Sequence, residues 1–118
     1  MKIIIAGAYA IGTHLARLLS REHDDIVVID SDEERLARIG SDVDILTMEA
    51  SPTSVKALRR AGAEHADLFI AVTPDESRNI TACMLATNLG AQKTVGRIDN
   101  YEYLLPKNKE FFQKLGVD

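Results

Sequence analysis

Two glycines and an aspartate are the residues whose types and spacing point to chemistry here, and that chemistry is the holding of a phosphorylated ribose. Gly7-Ala8-Tyr9-Ala10-Ile11-Gly12 carries the outer glycines of a G-x-G-x-x-G turn, with Tyr9 in the middle position. In such a turn the first glycine lets a strand bend sharply into a helix. The last lets that helix lie close on the sheet, and the helix N-terminus faces a phosphate. The middle glycine is the one that admits the pyrophosphate, so Tyr9 either swings outward over a ligand or fills the space. Asp30 follows 18 residues after Gly12. A carboxylate there accepts hydrogen bonds from the adenosine ribose hydroxyls and repels a 2′-phosphate. Ser31 comes next and no arginine follows directly, which disfavours NADP.

Two further residues belong to the same crevice. Thr73 closes an apolar run and precedes Pro74-Asp75, which opens a helix. Its hydroxyl and the helix amides can meet a phosphate or a ribose, or the threonine can serve as an ordinary cap. Arg97 is a charge inside the otherwise apolar stretch 94–98. A charge placed there needs a partner, either an acid such as Asp99 or a ligand phosphate.

Catalytic arrangements are weaker. Tyr103 and Lys107 have the Tyr-x-x-x-Lys spacing of short-chain dehydrogenases, but Pro106 lies between them and disfavours a helical Leu105. Cys83 sits among Thr81, Ala82 and Met84 in a helical pattern, which reads as packing. As the single cysteine it excludes an internal disulfide. His14, His23 and His65 are too scattered to read as metal ligands. A net charge of −4, with basic residues spread along the chain, argues against a nucleic-acid surface. No apolar run reaches membrane-spanning length, so direct membrane insertion is not expected.

The elements that must position these residues alternate. Ile3-Ile4-Ile5-Ala6 and Ile26-Val27-Val28-Ile29 are buried-strand runs, and 43–47, 67–72 and 94–98 supply three more. Between them lie helical patterns at 11–21, at 31–40 with Ser31 or Asp32 as N-cap and Gly40 as terminator, at 52–62 with Pro52 in the first position, and at 75–89 ending at Gly90. A final helix is predicted over 103–115. Strands alternating with helices imply right-handed crossovers and a doubly wound parallel sheet of order 3-2-1-4-5, in one α/β domain over residues 1–118. A further strand is expected after Gly116-Val117-Asp118, so the chain reads as the N-terminal part of a longer one.

The chain resembles the N-terminal nucleotide-binding domain of the TrkA family, also called the RCK or KTN domain. The residues that carry the resemblance are Lys2-Ile3-Ile4-Ile5-Ala6-Gly7, Val28-Ile29-Asp30, Asp67-Leu68-Phe69-Ile70-Ala71-Val72-Thr73, Asn79, Arg97 within 94–98, and Leu115-Gly116-Val117-Asp118. The resemblance implies a cytoplasmic regulator of potassium transport, bound to the inner face of the membrane through a potassium transporter or channel subunit. It also implies homodimers or larger homo-oligomers, with the 75–89 helix region expected at the dimer contact. The implied ligand is NAD or NADH, with ATP, ADP or AMP as alternatives. The implied contacts are Gly7, Gly12, Asp30, Thr73 and Arg97, together with the loop after the third strand at Glu49, Ala50 and Ser51. Ala8, Tyr9, Ala10, Ile11 and Ser31 complete the candidate site as their neighbours. Two departures stand out: Tyr9 replaces the second glycine, and Glu49-Ala50-Ser51 replaces a Gly-Asp-containing stretch. The implied role is not enzymatic. The competing readings are the nucleotide-binding fragment of an NAD-dependent oxidoreductase and an assembly module whose site Tyr9 plugs.

Overall fold

The computed structural model describes residues 1–22, 25–39 and 44–117. Its strands are β1 (Lys2–Ala6), β2 (Asp25–Asp30), β3 (Ile45–Glu49), β4 (Leu68–Ala71) and β5 (Thr94–Gly96). They form one parallel sheet in the order β3-β2-β1-β4-β5. This is the expected order. Ile3, Ile4 and Ile5 are wholly buried because β1 is central, paired with β2 on one edge and β4 on the other. Burial of each such side chain contributes on the order of 2 kcal/mol.

Alternation along β1 feeds two cores. Ile3 and Ile5 pack on the side of helices α1 (Ala10–Ser20) and α2 (Glu33–Ala37), with Ala16 and Leu36. Ile4 and Ala6 pack on the opposite side with Leu58 of α3 (Val55–Ala61) and Ala82, Cys83 and Ala86 of α4 (Glu76–Leu89). Cys83 is therefore a core residue. His14 and His65 are exposed. Among the described residues no helix is long and apolar enough to cross a membrane.

Several boundaries differ from expectation, each for a local reason. Helix α3 starts at Val55, not at Pro52, because the Ser54 side chain accepts from the Ala57 amide and makes the better cap. Ser51 and Pro52 instead enter a turn in which Ser51 Oγ accepts from the Thr53 amide. The last helical stretch divides into α5 (Tyr101–Leu104) and α6 (Pro106–Lys114). Leu105 between them is extended, with ψ of 137°, as the residue before a proline prefers. Tyr103 and Lys107 thus stand on different helices. β5 stops at Gly96, before Arg97 and Ile98. His23, the terminator Gly40, the strand start Val43 and the last residue, Asp118, lie outside the described residues.

Candidate functional site

The carboxyl ends of β1, β2 and β4 meet along one edge of the sheet, and both glycines of the first loop are required there by backbone contacts. Gly7 has φ +114°, and a Cβ on it would lie 3.1 Å from the Thr73 amide nitrogen. A Cβ on Gly12 would lie 1.8 Å from the Gly7 carbonyl oxygen, a distance no side chain tolerates. The Gly7 amide donates to Ile29 O at 2.8 Å, which draws the loop toward the end of β2. Helix α1 then begins at Ala10 with Tyr9 as N-cap. Tyr9 supplies no capping acceptor, and the first turn holds no acid. The first-turn amides, Ala10 and Ile11 among them, keep the donor capacity and partial positive charge of a helix N-terminus.

Asp30 is the centre of the site. It is 2% exposed at the end of β2. Its Oδ2 accepts from the Ala8 amide at 2.7 Å and its Oδ1 from the Asp32 amide at 2.8 Å. Arg35 of α2 lies against both oxygens, with Nε at 3.1 Å from each. Burial pushes the Asp30 carboxyl upward, but the Arg35 guanidinium and the Ala8 and Asp32 amides outweigh it and hold the group below its ordinary value. Arg35 is raised in turn, chiefly by its hydrogen bond to Asp30. The guanidinium carbon also sits 4.1 Å from the centroid of the Tyr9 ring. Tyr9 is therefore turned toward α2 and stacked on a cation.

Asp32, not Ser31, caps α2, accepting from the Glu34 amide at 2.8 Å. Ser31 is exposed beside Asp30. The Ala50 amide donates to Asp30 O at 3.0 Å, so the loop after β3 reaches the site through its backbone. Ser51 Oγ lies 3.0 Å from Thr53 Oγ1 in its own turn.

The other half of the crevice is organised by Asn79, fully buried in the first turns of α4. Its Oδ1 accepts from the Thr73 amide at 2.9 Å and from Thr73 Oγ1 at 2.7 Å. Its Nδ2 donates to the carbonyls of Thr73 at 2.9 Å and Arg97 at 3.0 Å. Asp75 caps α4, accepting from the Arg78 amide at 3.2 Å, so Thr73 is not the cap. Arg97 departs from the expected buried charge: past the end of β5 its side chain is 41% exposed and pairs with Asp99 at 3.3 Å.

The structure thus brings Gly7, Ala8, Tyr9, Gly12, Asp30, Ala50 and Thr73 together at one edge, with Arg97 held there by its backbone. Arg35 is the residue that sequence reading missed. A buried acid signals the need for a counter-charge, but the stretch after it offers both Arg35 and Arg38, and the residue string does not choose between them.

The sheet order and the ligand-side loops define a Rossmann-like domain, and the comparisons place it within that class. Residues 3–118 match the TrkA-N domain, and the chain belongs to this family. It is 42% identical over 112 residues to the Trk system potassium uptake protein TrkA of Haemophilus influenzae, covering 94% of this chain and 24% of that protein. The chain thus spans about a quarter of that relative's length. Among solved structures, the TrkA-N domain of the inner membrane protein ybaL from Escherichia coli superposes with a TM-score of 0.79 at 15% identity, covering 99% of this chain and 83% of that one. A GsuK channel bound to NAD superposes with a TM-score of 0.73 at 19% identity, covering 98% of this chain and 20% of that one. At these identities the two structures bear on the fold.

Proposed function

We propose that this domain binds an adenine nucleotide, NAD or NADH foremost and ATP, ADP or AMP as alternatives, as the cytoplasmic sensor of a potassium uptake system. The observation that carries the reading is Asp30, a buried ionised carboxylate one hydrogen bond from the glycine loop and beside an uncapped helix N-terminus. Ribose hydroxyls bond Asp30, phosphates lie over the first turn of α1, and Ala50, Ser51 and Thr73 border the adenosine. The 42% identity to a potassium uptake protein and the NAD of the GsuK channel support the ligand and the role.

No bond is made or broken in this reading. The domain works by linkage: a ligand shifts an assembly only through its differential affinity for two arrangements, typically about 1–3 kcal/mol per site. The assembly is a homodimer or larger homo-oligomer, with α4 at the contact, attached to a membrane potassium transporter or channel subunit.

A melting-temperature panel with NAD, NADH, ATP, ADP and AMP tests the site. At one hundred times its dissociation constant a ligand adds about 2.7 kcal/mol, a shift of several degrees. The shift is expected in wild type and lost in Asp30→Ala. No shift with any of them sinks the sensor reading.

A further inference from the structure

We infer that the groove between α1 and α2 is a phosphoryl-binding subsite, a pocket for a phosphate-ester dianion set beside the ribose carboxylate. A cavity of about 470 Å³ opens there, lined among others by Tyr9, Thr13, His14, Arg17, Arg35 and Arg38. That volume lies within the roughly 300–1,000 Å³ range of small-molecule sites, and it holds a ribose phosphate more readily than a lone ion. Three guanidiniums and an imidazole face it, and its lining holds no carboxylate.

The charges are not spent on one another. Among the described residues Arg17 and Arg38 form no ion pair. Arg17 donates one Nη2 proton to the Arg38 carbonyl at 2.7 Å, which fixes the guanidinium across the groove and leaves its other donors to spare. Arg35 is committed to Asp30 and Asp32, at 3.1 and 3.2 Å, and this commitment alters the electrostatics. A bare carboxylate at the end of β2 repels a nearby phosphate, whereas Asp30 carries its own counter-ion. The two remaining guanidiniums are left to act on an incoming dianion, for which arginine forms bidentate, charge-assisted bonds. From the sequence a 2′-phosphate is disfavoured because Asp30 is acidic and no arginine follows it directly. In the fold Asp30 is paired with Arg35, and the first of these grounds is weakened.

The inference rests in part on the nucleotide reading, and its test separates the two. Binding isotherms of the chain are measured for the pairs NAD with NADP and AMP with ATP, and for inorganic phosphate. NADP outbinding NAD by about tenfold assigns the pocket to a ribose phosphate, and ATP outbinding AMP by that factor assigns it to a terminal phosphate. In an Arg17→Gln, Arg38→Gln variant the advantage disappears, while NAD and AMP binding stays within about twofold. The pocket is refuted if NAD or AMP binds and the added phosphate strengthens neither, or if the advantage survives the double variant. Should no nucleotide bind, the nucleotide reading fails alone. The phosphate titration then decides the pocket: shifted Nε–H resonances of Arg17 and Arg38 support it, and unmoved ones overturn it.

Discussion

The two sides of the crevice are held by different physics. On the β2 side a carboxylate, a guanidinium and an aromatic ring hold one another: Asp30, Arg35 and Tyr9. On the β4 side a neutral amide, Asn79, satisfies Thr73 and the Arg97 carbonyl with four hydrogen bonds and no charge. Both arrangements leave their buried polar groups partnered, yet only one is exchangeable. In the nucleotide reading a ribose diol bonds Asp30 beside Arg35 or in its place, because hydroxyl donors can trade with the N–H donors of a guanidinium. A phosphate has no donor for a carboxylate and pairs with arginine instead. Asn79 is fully buried and makes all four of its hydrogen bonds inside the fold, so it offers an incoming ligand no open position. The β4 side is a fixed wall, and the β2 side is the part a ligand can rearrange.

The largest effect expected is from Gly12→Ala, which breaks the geometry common to both sides. The new Cβ would meet the Gly7 carbonyl at 1.8 Å, and the loss should reach about 3 kcal/mol or more, read as a fall in melting temperature of roughly 10 °C or more. Next comes Asn79→Ala. It strands the Thr73 amide and the Arg97 carbonyl, and should lower stability by about 2–3 kcal/mol in a urea titration. A loss below about half a kcal/mol would show that the wall is not held by its amide.

Asp30→Asn sharpens the contrast, because its effect depends on pH and that of Asn79→Ala does not. The folded carboxyl lies below its ordinary value of 3.8. Its contribution is therefore present in full above that value and is lost as pH falls through the lower, folded one. Wild type should lose stability across this acid window and the variant should lose less. Equal acid limbs in the two melting curves would contradict the paired Asp30. Smallest is Tyr9→Leu, which removes the stacked ring at a cost of about 0.5–1 kcal/mol. The Arg35 side-chain resonance should broaden or shift in the variant.

Much of this was legible in the residue string. The sheet order follows from alternation of β-branched runs with capped helices, and the requirement for glycine at positions 7 and 12 follows from the turn that joins the first strand to its helix. Asp30 was legible from its place at the end of an apolar run. What escaped reading was long-range or competitive. Arg35 becomes part of the site only because α2 folds back over β2, and nothing local distinguishes it from Arg38. Ser54 defeats Pro52 as a helix start because a side-chain acceptor for the Ala57 amide outweighs a favourable φ. Arg97 looked buried because 94–98 reads as one strand, whereas pairing with β4 ends at Gly96. The split at Pro106 was half visible, since the proline predicted the extended Leu105 but not that a helix would resume at once.

The central position of β1 also has a consequence for biosynthesis. Ile3 pairs with Ile26 on one side and with Leu68 on the other, so the second partner is translated 65 residues after the strand itself. At the usual pace of about 5–20 residues per second, one edge of this isoleucine-rich strand waits roughly 3–13 s on the ribosome for its mate. During that interval the nascent chain offers an unpaired, strongly apolar β edge. A holdase at the exit tunnel, or a pause that lets β2 and α1 cover one face first, is where the yield of this domain would be decided.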